Sequence, residues 1–119
     1  MLIKSAVILL MLDFLYFNIF SSYYKKQIFD IQNTNINFKL NSAIICYIVL
    51  IFCLNYFILK TDKTRKEKIK DAFILGLVIY TVFETTNYTI FKNWNIKSVI
   101  IDSLWGGILF ALTTYFVTM

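Results

Sequence analysis

Four long apolar stretches divide this chain, and shorter polar segments separate them. They cover residues 2–24, 41–59, 72–91 and 98–118. A helix needs about 20 apolar residues to cross the hydrocarbon core of a bilayer. Within lipid the backbone must satisfy its own hydrogen bonds, and stretches of this length do so as α-helices. The pattern therefore predicts an all-α integral membrane protein whose four transmembrane helices form a compact bundle.

The connector after the first stretch is the longest of the three. Apolar residues recur along it near helical spacing at Phe20, Tyr24, Ile28 and Ile31. We therefore expect the first helix to continue as an interfacial extension, with its apolar face among the lipid headgroups. The length of 119 residues suits one domain, and we interpret residues 1–119 as a single transmembrane four-helix domain.

Composition supports the membrane class and removes two others. The chain is 59% hydrophobic and 16% charged, whereas soluble domains are about 45–50% apolar and about 25% charged. Disordered chains show the opposite bias, towards low hydrophobicity and high charge. The composition therefore excludes both a soluble globular domain and a disordered chain.

The net charge of +5 would suggest nucleic-acid binding in a soluble protein. Here six of the cations fall in Lys60–Lys70, between two apolar stretches. We therefore expect this segment to contact anionic lipid headgroups, and we expect no nucleic-acid partner. Together with Lys4 these cations outnumber the five Lys residues on the other side. The positive-inside rule then predicts a multi-pass protein with both termini in the cytoplasm.

Neither a metal nor a cofactor is expected. The sequence contains no His, the usual ligand of zinc and of non-haem iron in proteins. It also contains no phosphate-binding loop, dinucleotide fingerprint or serine-hydrolase motif. No catalytic residue is therefore assigned.

Three acidic residues lie inside the apolar stretches, where a charged carboxylate costs at least a few kcal/mol. They are Asp13, Glu84 and Asp102. At about 1.5 Å per residue, Asp13 lies ~16 Å, Glu84 ~18 Å and Asp102 ~24 Å from the cytoplasmic ends of their helices. We therefore expect all three in the outer half of the membrane, as candidates for one site.

Aromatic and polar side chains accompany each acid at helical spacing. On the third helix, Tyr80, Glu84 and Tyr88 are four residues apart, and Thr81 and Asn87 each lie three from Glu84. On the first and fourth helices an aromatic residue follows the acid by three positions. The candidate intramembrane polar site comprises Asp13, Tyr16, Tyr80, Glu84, Asn87, Asp102 and Trp105.

The helices contain no cation that would pair with these acids. Lys92 and Lys97 are placed to reach Asp102 from the surface. We expect the other two acids to be protonated and hydrogen-bonded to Tyr or Asn. Two interpretations remain open: a site for a proton, cation or polar headgroup, or hydrogen bonds that only hold the helices together.

Small residues on the fourth helix predict close helix packing. Ser103, Gly107 and Ala111 recur at a spacing of four, and Gly106 precedes Gly107. Such residues let two helix backbones approach, within one chain or between chains.

Three short elements resemble a known family of membrane proteins. Residues 12–16 are Leu-Asp-Phe-Leu-Tyr, residues 83–87 are Phe-Glu-Thr-Thr-Asn and residues 102–106 are Asp-Ser-Leu-Trp-Gly. They resemble the Leu-Asp-x-x-Trp, Tyr-Asp-x-Thr-Asn and Asp-x-x-Trp-Gly elements of the domain of unknown function 2177 family. The third element matches fully, whereas Tyr16 stands in place of Trp and Glu84 in place of Asp. The resemblance implies a four-helix integral membrane protein with shared acidic and aromatic positions, and it implies no activity.

Three functions remain as hypotheses. The first is a site that binds or translocates protons, cations or a small polar solute, and a chain this small would need to form a homo-oligomer to enclose a path. The second is a lipid-modifying enzyme or its accessory subunit, in which the acids transfer protons near headgroups. The third is a structural or partner-binding membrane protein, in which the acids only order the bundle.

Overall fold

The computed structural model describes residues 2–32, 40–91 and 94–119, and the regular structure within these ranges is helical. The helices are α1 (Leu2–Gln32), α2 (Leu40–Leu54), α3 (Arg65–Ile90) and α4 (Ile96–Val117), and a π-helical turn over Asn55–Leu59 continues α2. Each of the four contributes a segment long and apolar enough to cross a membrane. The predicted all-α, four-helix membrane architecture is confirmed.

Helix α1 is longer than its apolar span. The span ends at Phe20, whereas the helix continues to Gln32. At about 1.5 Å per residue, 31 residues reach about 46 Å, which exceeds the roughly 30 Å core of a bilayer. The helical continuation is thus present, and its position along the interface remains a prediction.

Helix α3 begins seven residues before the predicted boundary, because Thr64 caps it. The Thr64 hydroxyl oxygen accepts a hydrogen bond from the Glu67 backbone N–H at 3.2 Å, and the hydroxyl lies 3.1 Å from the Glu67 carboxylate. A capping threonine followed by glutamate three residues later satisfies N–H groups that would otherwise lack partners. Half of the cationic segment Lys60–Lys70 is therefore helical.

We expect Thr64→Ala to lower the free energy of unfolding by about 1 kcal/mol, the usual effect of removing an N-cap side chain. The measurement is unfolding in mixed detergent micelles, followed by circular dichroism. Thr89→Ala is the matched control, because its exposed hydroxyl bonds only to the Thr85 carbonyl of the same helix. Equal losses in the two variants would contradict the capping role.

Hydrogen bonds connect the C-terminal end of α4 to the start of α3. The Arg65 guanidinium donates to the Thr118 hydroxyl and to the Tyr115 carbonyl, both at 3.1 Å. It also lies 4.4 Å from the centre of the Tyr115 ring. In the same segment Lys63 forms an ion pair with Asp71, which raises the pKa of Lys63. Part of the cationic segment therefore stabilises the fold.

Helices α3 and α4 make the closest backbone contact. A methyl group built on Gly76 would lie 2.1 Å from the Gly106 carbonyl oxygen. On α4, Ser103, Gly106 and Gly107 are buried and Ala111 is half-buried. Small side chains at this crossing are what let the two helices approach so closely.

The buried core is small, and the remaining apolar surface faces outward. Leu9, Leu54, Leu109 and Phe110 are fully buried between the helices. Large apolar side chains on all four helices are exposed. Soluble monomers rarely expose an apolar surface of this extent to water. The hydrocarbon region of a bilayer is a suitable solvent for it.

Candidate intramembrane acid site

Asp13 connects three helices. Its carboxylate on α1 accepts a hydrogen bond from the Tyr47 hydroxyl of α2. Its other oxygen accepts from the Trp105 indole N–H of α4 at 3.0 Å. Both donors are neutral, so these bonds orient the carboxyl without supplying a countercharge.

Asp102 makes the reciprocal contact from α4 to α1. Its carboxyl lies within hydrogen-bonding range of the Tyr16 hydroxyl and beside the Glu84 carboxyl. The Tyr16 ring in turn stacks on Trp105, with ring centres 4.6 Å apart and planes 8° apart. In each of the two helices, the aromatic residue three positions after the acid therefore contacts the acid of the other helix.

Glu84 is the unpaired member of the group. Its exposed fraction is 0%, and in the described part of the chain neither carboxylate oxygen has a hydrogen-bond partner. Asn87, Trp94 and Asp102 lie close enough to interact with it electrostatically. The Trp94 indole N–H is also buried and has no partner among the described residues. A buried polar group without a partner is unfavourable, so Glu84 is ready to accept a donor or a cation.

Two adjoining clefts pass beside these carboxyls. The smaller has a volume of about 250 Å³ and the larger about 450 Å³. They share five lining residues: Asp13, Phe17, Tyr80, Phe83 and Asp102. The smaller cleft is also lined by Tyr16, Glu84 and Trp94, and the larger by Tyr47 and Cys46. Carboxyls from α1, α3 and α4 thus line a single space.

The acids have no countercharge within the part of the chain that the structure describes. The ion pair that forms there joins Lys63, in the connector before α3, to Asp71 near the start of α3. Lys97 is exposed and makes no ion pair with Asp102, and Lys92 lies outside the described residues. Among the described residues no side chain neutralises these carboxyls, which leaves that role there to protons or a bound cation.

The spacing of the acids bears on whether they could bind a metal. Over residues 2–32, 40–91 and 94–119, no three His, Cys, Asp or Glu side chains are grouped so that they could hold a metal ion. Calcium and magnesium need six or more oxygen ligands in a close shell. The arrangement instead suits protons, or a cation bound through hydrogen bonds and aromatic contacts.

Comparison with known families adds one result. The family model described as "Predicted membrane protein (DUF2177)" matches residues 1–119. The chain belongs to this family. Searches of curated proteins and of solved structures found no match. The suspected family is thereby confirmed, and with the four apolar helices it makes the chain an integral, multi-pass membrane protein.

In this DUF2177 member, the structure brings most of the predicted site residues together. Five of them line the smaller cleft: Asp13, Tyr16, Tyr80, Glu84 and Asp102. Trp105 joins them through its bond to Asp13, and Asn87 lies beside Glu84. Tyr88 belongs to the same predicted stripe but is exposed and lines neither cleft.

Two further residues contact the acids without having been predicted as part of the site. Tyr47 donates to Asp13, and the Trp94 indole lies beside Glu84. The sequence offered a weak signal for Tyr47, which lies three and seven residues before the buried Leu50 and Leu54 and so shares their helix face. Trp94 precedes α4 by two residues, where an aromatic residue alone indicates only the membrane interface.

Proposed function

We propose that this polytopic membrane protein binds protons or small cations at the acid site and carries them across the membrane. The observation that carries the proposal is the convergence of carboxyls from three helices on one cleft. Ionisable residues inside membrane spans commonly mark ion pathways and proton relays. Glu84 supports the proposal further, because a carboxyl with unused acceptor capacity changes partners more readily than one already bonded.

Transport also requires a path that lipid cannot enter. Phe17 and Phe83 line both clefts and are exposed, so a single copy leaves the clefts open at the side. We therefore infer that the active form is a homo-oligomer in which a second copy covers this opening. Chemical crosslinking in membranes, followed by mass determination, tests this expectation.

The proposed orientation places both termini in the cytoplasm, because Lys4 and the segment Lys60–Lys70 carry most of the positive charge. The acids then lie in the outer half of the membrane. The cations of Lys60–Lys70 would contact anionic headgroups on the cytoplasmic side, apart from Arg65, whose guanidinium is bonded to the end of α4.

The test is proton and potassium flux into proteoliposomes that contain the purified protein. We expect Glu84→Gln and Asp102→Asn to reduce the flux at least about tenfold, because each removes an ionisable group while keeping nearly the same shape. Asp62→Asn is the matched control, since Asp62 is exposed in the connector before α3. Wild type and Asp62→Asn should conduct equally.

A structural role is the competing function, and the bonds from Tyr47 and Trp105 to Asp13 favour it. In that case Asp102→Asn would lower the unfolding free energy, and the wild type would show no flux to lose. Flux in the wild type that survives both carboxyl substitutions, with folding verified by circular dichroism, would also contradict the proposed transport.

A further inference from the structure

The walls of the clefts are suited to an organic molecule. Aromatic rings flank the carboxyls in the smaller cleft, where Tyr16, Tyr80 and Trp94 lie beside Glu84. The larger cleft adds aliphatic surface from Leu50 and Ile79. Binding sites for small molecules typically have volumes of about 300–1,000 Å³, mostly apolar walls and few polar groups. The larger cleft, of about 450 Å³, falls in this range, and the smaller cleft of about 250 Å³ adjoins it.

The charge of the site selects a cation, and its aromatic walls favour an ammonium group. Aromatic faces attract ammonium ions through the ring quadrupole. The Glu84 carboxyl is fully buried and has no hydrogen-bond partner among the described residues, so its oxygens can accept from an ammonium N–H. A divalent metal ion such as calcium or magnesium would need a closer set of ligands than the described residues provide.

The position of Phe17 and Phe83 indicates how such a molecule enters. Both line the two clefts, and their exposed fractions are 44% and 57%. On a transmembrane bundle, exposed phenylalanine rings face lipid acyl chains. In a single copy, the opening between them therefore leads from the lipid to the carboxyls without passing through water, and the second copy proposed above would cover it after the molecule has entered.

We propose that the acid site takes a lipophilic protonated amine, which enters laterally from the membrane and places its ammonium group at Glu84 and its apolar part between Phe17 and Phe83. This inference rests on the proposed function and specifies the class of cation. The ammonium then occupies the space beside Asp13 and Asp102, where it neutralises charge that the described residues leave uncompensated.

The sequence provides a label-free probe for this test. The chain has two tryptophans, Trp94 and Trp105. Trp94 lines the smaller cleft, and Trp105 is bonded to Asp13. The tryptophan emission of the whole protein, excited beyond the tyrosine absorption band, therefore reports on this site.

The experiment titrates the full-length protein in zwitterionic nanodiscs with 4-tert-butylbenzylamine, and in parallel with 4-tert-butylbenzyl alcohol as its neutral isostere. Empty nanodiscs correct for partitioning. We expect saturable binding of the amine, at least about tenfold tighter than binding of the alcohol, because only the amine carries a positive charge that adds ionic attraction to its hydrogen bonds with the carboxylate. Glu84→Gln should weaken amine binding at least about tenfold and leave alcohol binding unchanged.

A second pair of variants does not depend on the buried acid. Phe83→Ala should weaken amine binding at least about threefold, because it removes one wall of both clefts. Phe52→Ala is the matched control: its ring is also 57% exposed, but it lies on α2 and lines neither cleft. Should Glu84→Gln fail to fold, this pair decides the question.

Three results would overturn the inference: equal affinity for amine and alcohol, unchanged amine affinity in folded Glu84→Gln, or equal effects of Phe83→Ala and Phe52→Ala. Carboxyl-dependent proton or potassium flux without amine binding would reject the amine and leave the proposed transport in place. Amine binding that meets all the expectations, with no flux of any cation, would support the inference and contradict transport.

Discussion

A single methyl group added at Gly76 is expected to separate α3 from α4. In Gly76→Ala the new Cβ would lie 2.1 Å from the Gly106 carbonyl oxygen and 2.8 Å from its carbonyl carbon. These are backbone atoms of a helix and cannot turn aside as a side chain can. Overpacking usually costs about 1–3 kcal/mol, and we expect a loss of about 3 kcal/mol in the free energy of unfolding.

The matched comparison is Gly107→Ala, the same chemical change one position beyond Gly106. There the new Cβ would meet the edge of the Phe73 ring at 2.9 Å and the Phe73 carbonyl oxygen at 3.0 Å. A turn of the ring and a shift of a few tenths of an ångström relieve both contacts. The helix-propensity gain of about 1 kcal/mol is common to both variants, so the difference between them isolates the steric effect.

Unfolding by sodium dodecyl sulfate in mixed micelles measures both variants. We expect Gly76→Ala to be the less stable by at least about 1 kcal/mol. Gly76→Ala should also weaken binding of the amine proposed above. Tyr80 and Glu84 of α3 line the smaller cleft together with Asp102 of α4, so a change in the distance between these helices alters the cleft. A Gly76→Ala protein as stable as Gly107→Ala would show that the backbones of α3 and α4 lie farther apart than the structure indicates.

The number and class of the helices could be predicted from the sequence because lipid imposes a simple rule. Each span needs a long apolar run, and four such runs occur. The ends of the helices were harder to predict, because hydropathy does not indicate where a helix begins or ends. Helix α3 begins at Arg65, inside a charged segment, owing to the cap at Thr64. The π-helical turn at Asn55–Leu59 was not predicted, and it begins at a residue whose side-chain amide donates to the Ser5 hydroxyl of α1 at 2.9 Å.

The candidate site was only partly accessible to sequence reasoning. The acids stood out, since carboxyls within apolar runs are rare, and helical spacing placed Tyr16 and Trp105 near them. Spacing along one helix does not say which residues of another helix it faces. The crossed contacts, Trp105 with Asp13 and Tyr16 with Asp102, therefore required the packing of α1 against α4. Tyr47 was missed for the same reason.

The close crossing of α3 and α4 also has a consequence for the site. Gly106 lies so near Tyr80 that a Cβ there would be 2.3 Å from the ring atom Cγ. The Tyr80 ring therefore occupies the space that a side chain on Gly106 would fill, and it forms a wall of both clefts. Packing and candidate site are thus built from the same residues, which is why stability must be measured beside every functional variant.

Asp13→Ala is expected to remove one polar link between α1 and each of α2 and α4. The change leaves the Tyr47 hydroxyl and the Trp105 indole N–H without the acceptor they share. Hydrogen bonds between membrane helices are worth about 0.6 kcal/mol on average and about 1.7 kcal/mol at most. Two such bonds predict a loss of about 1–3 kcal/mol in unfolding free energy. Asp62→Ala, at an exposed position between α2 and α3, should change stability by less than about 0.5 kcal/mol.

A spectroscopic measurement separates the loss of these bonds from a general loosening of the bundle. In a Trp94→Phe background the emission comes from Trp105 alone, since the chain has two tryptophans. Asp13→Ala should shift this emission, because the indole N–H loses its acceptor, whereas Asp62→Ala should not. Asp13→Asn should give an intermediate result, since the amide keeps one acceptor oxygen for the two donors. If Asp13→Ala left both stability and emission unchanged, the acid could not be the link between these helices.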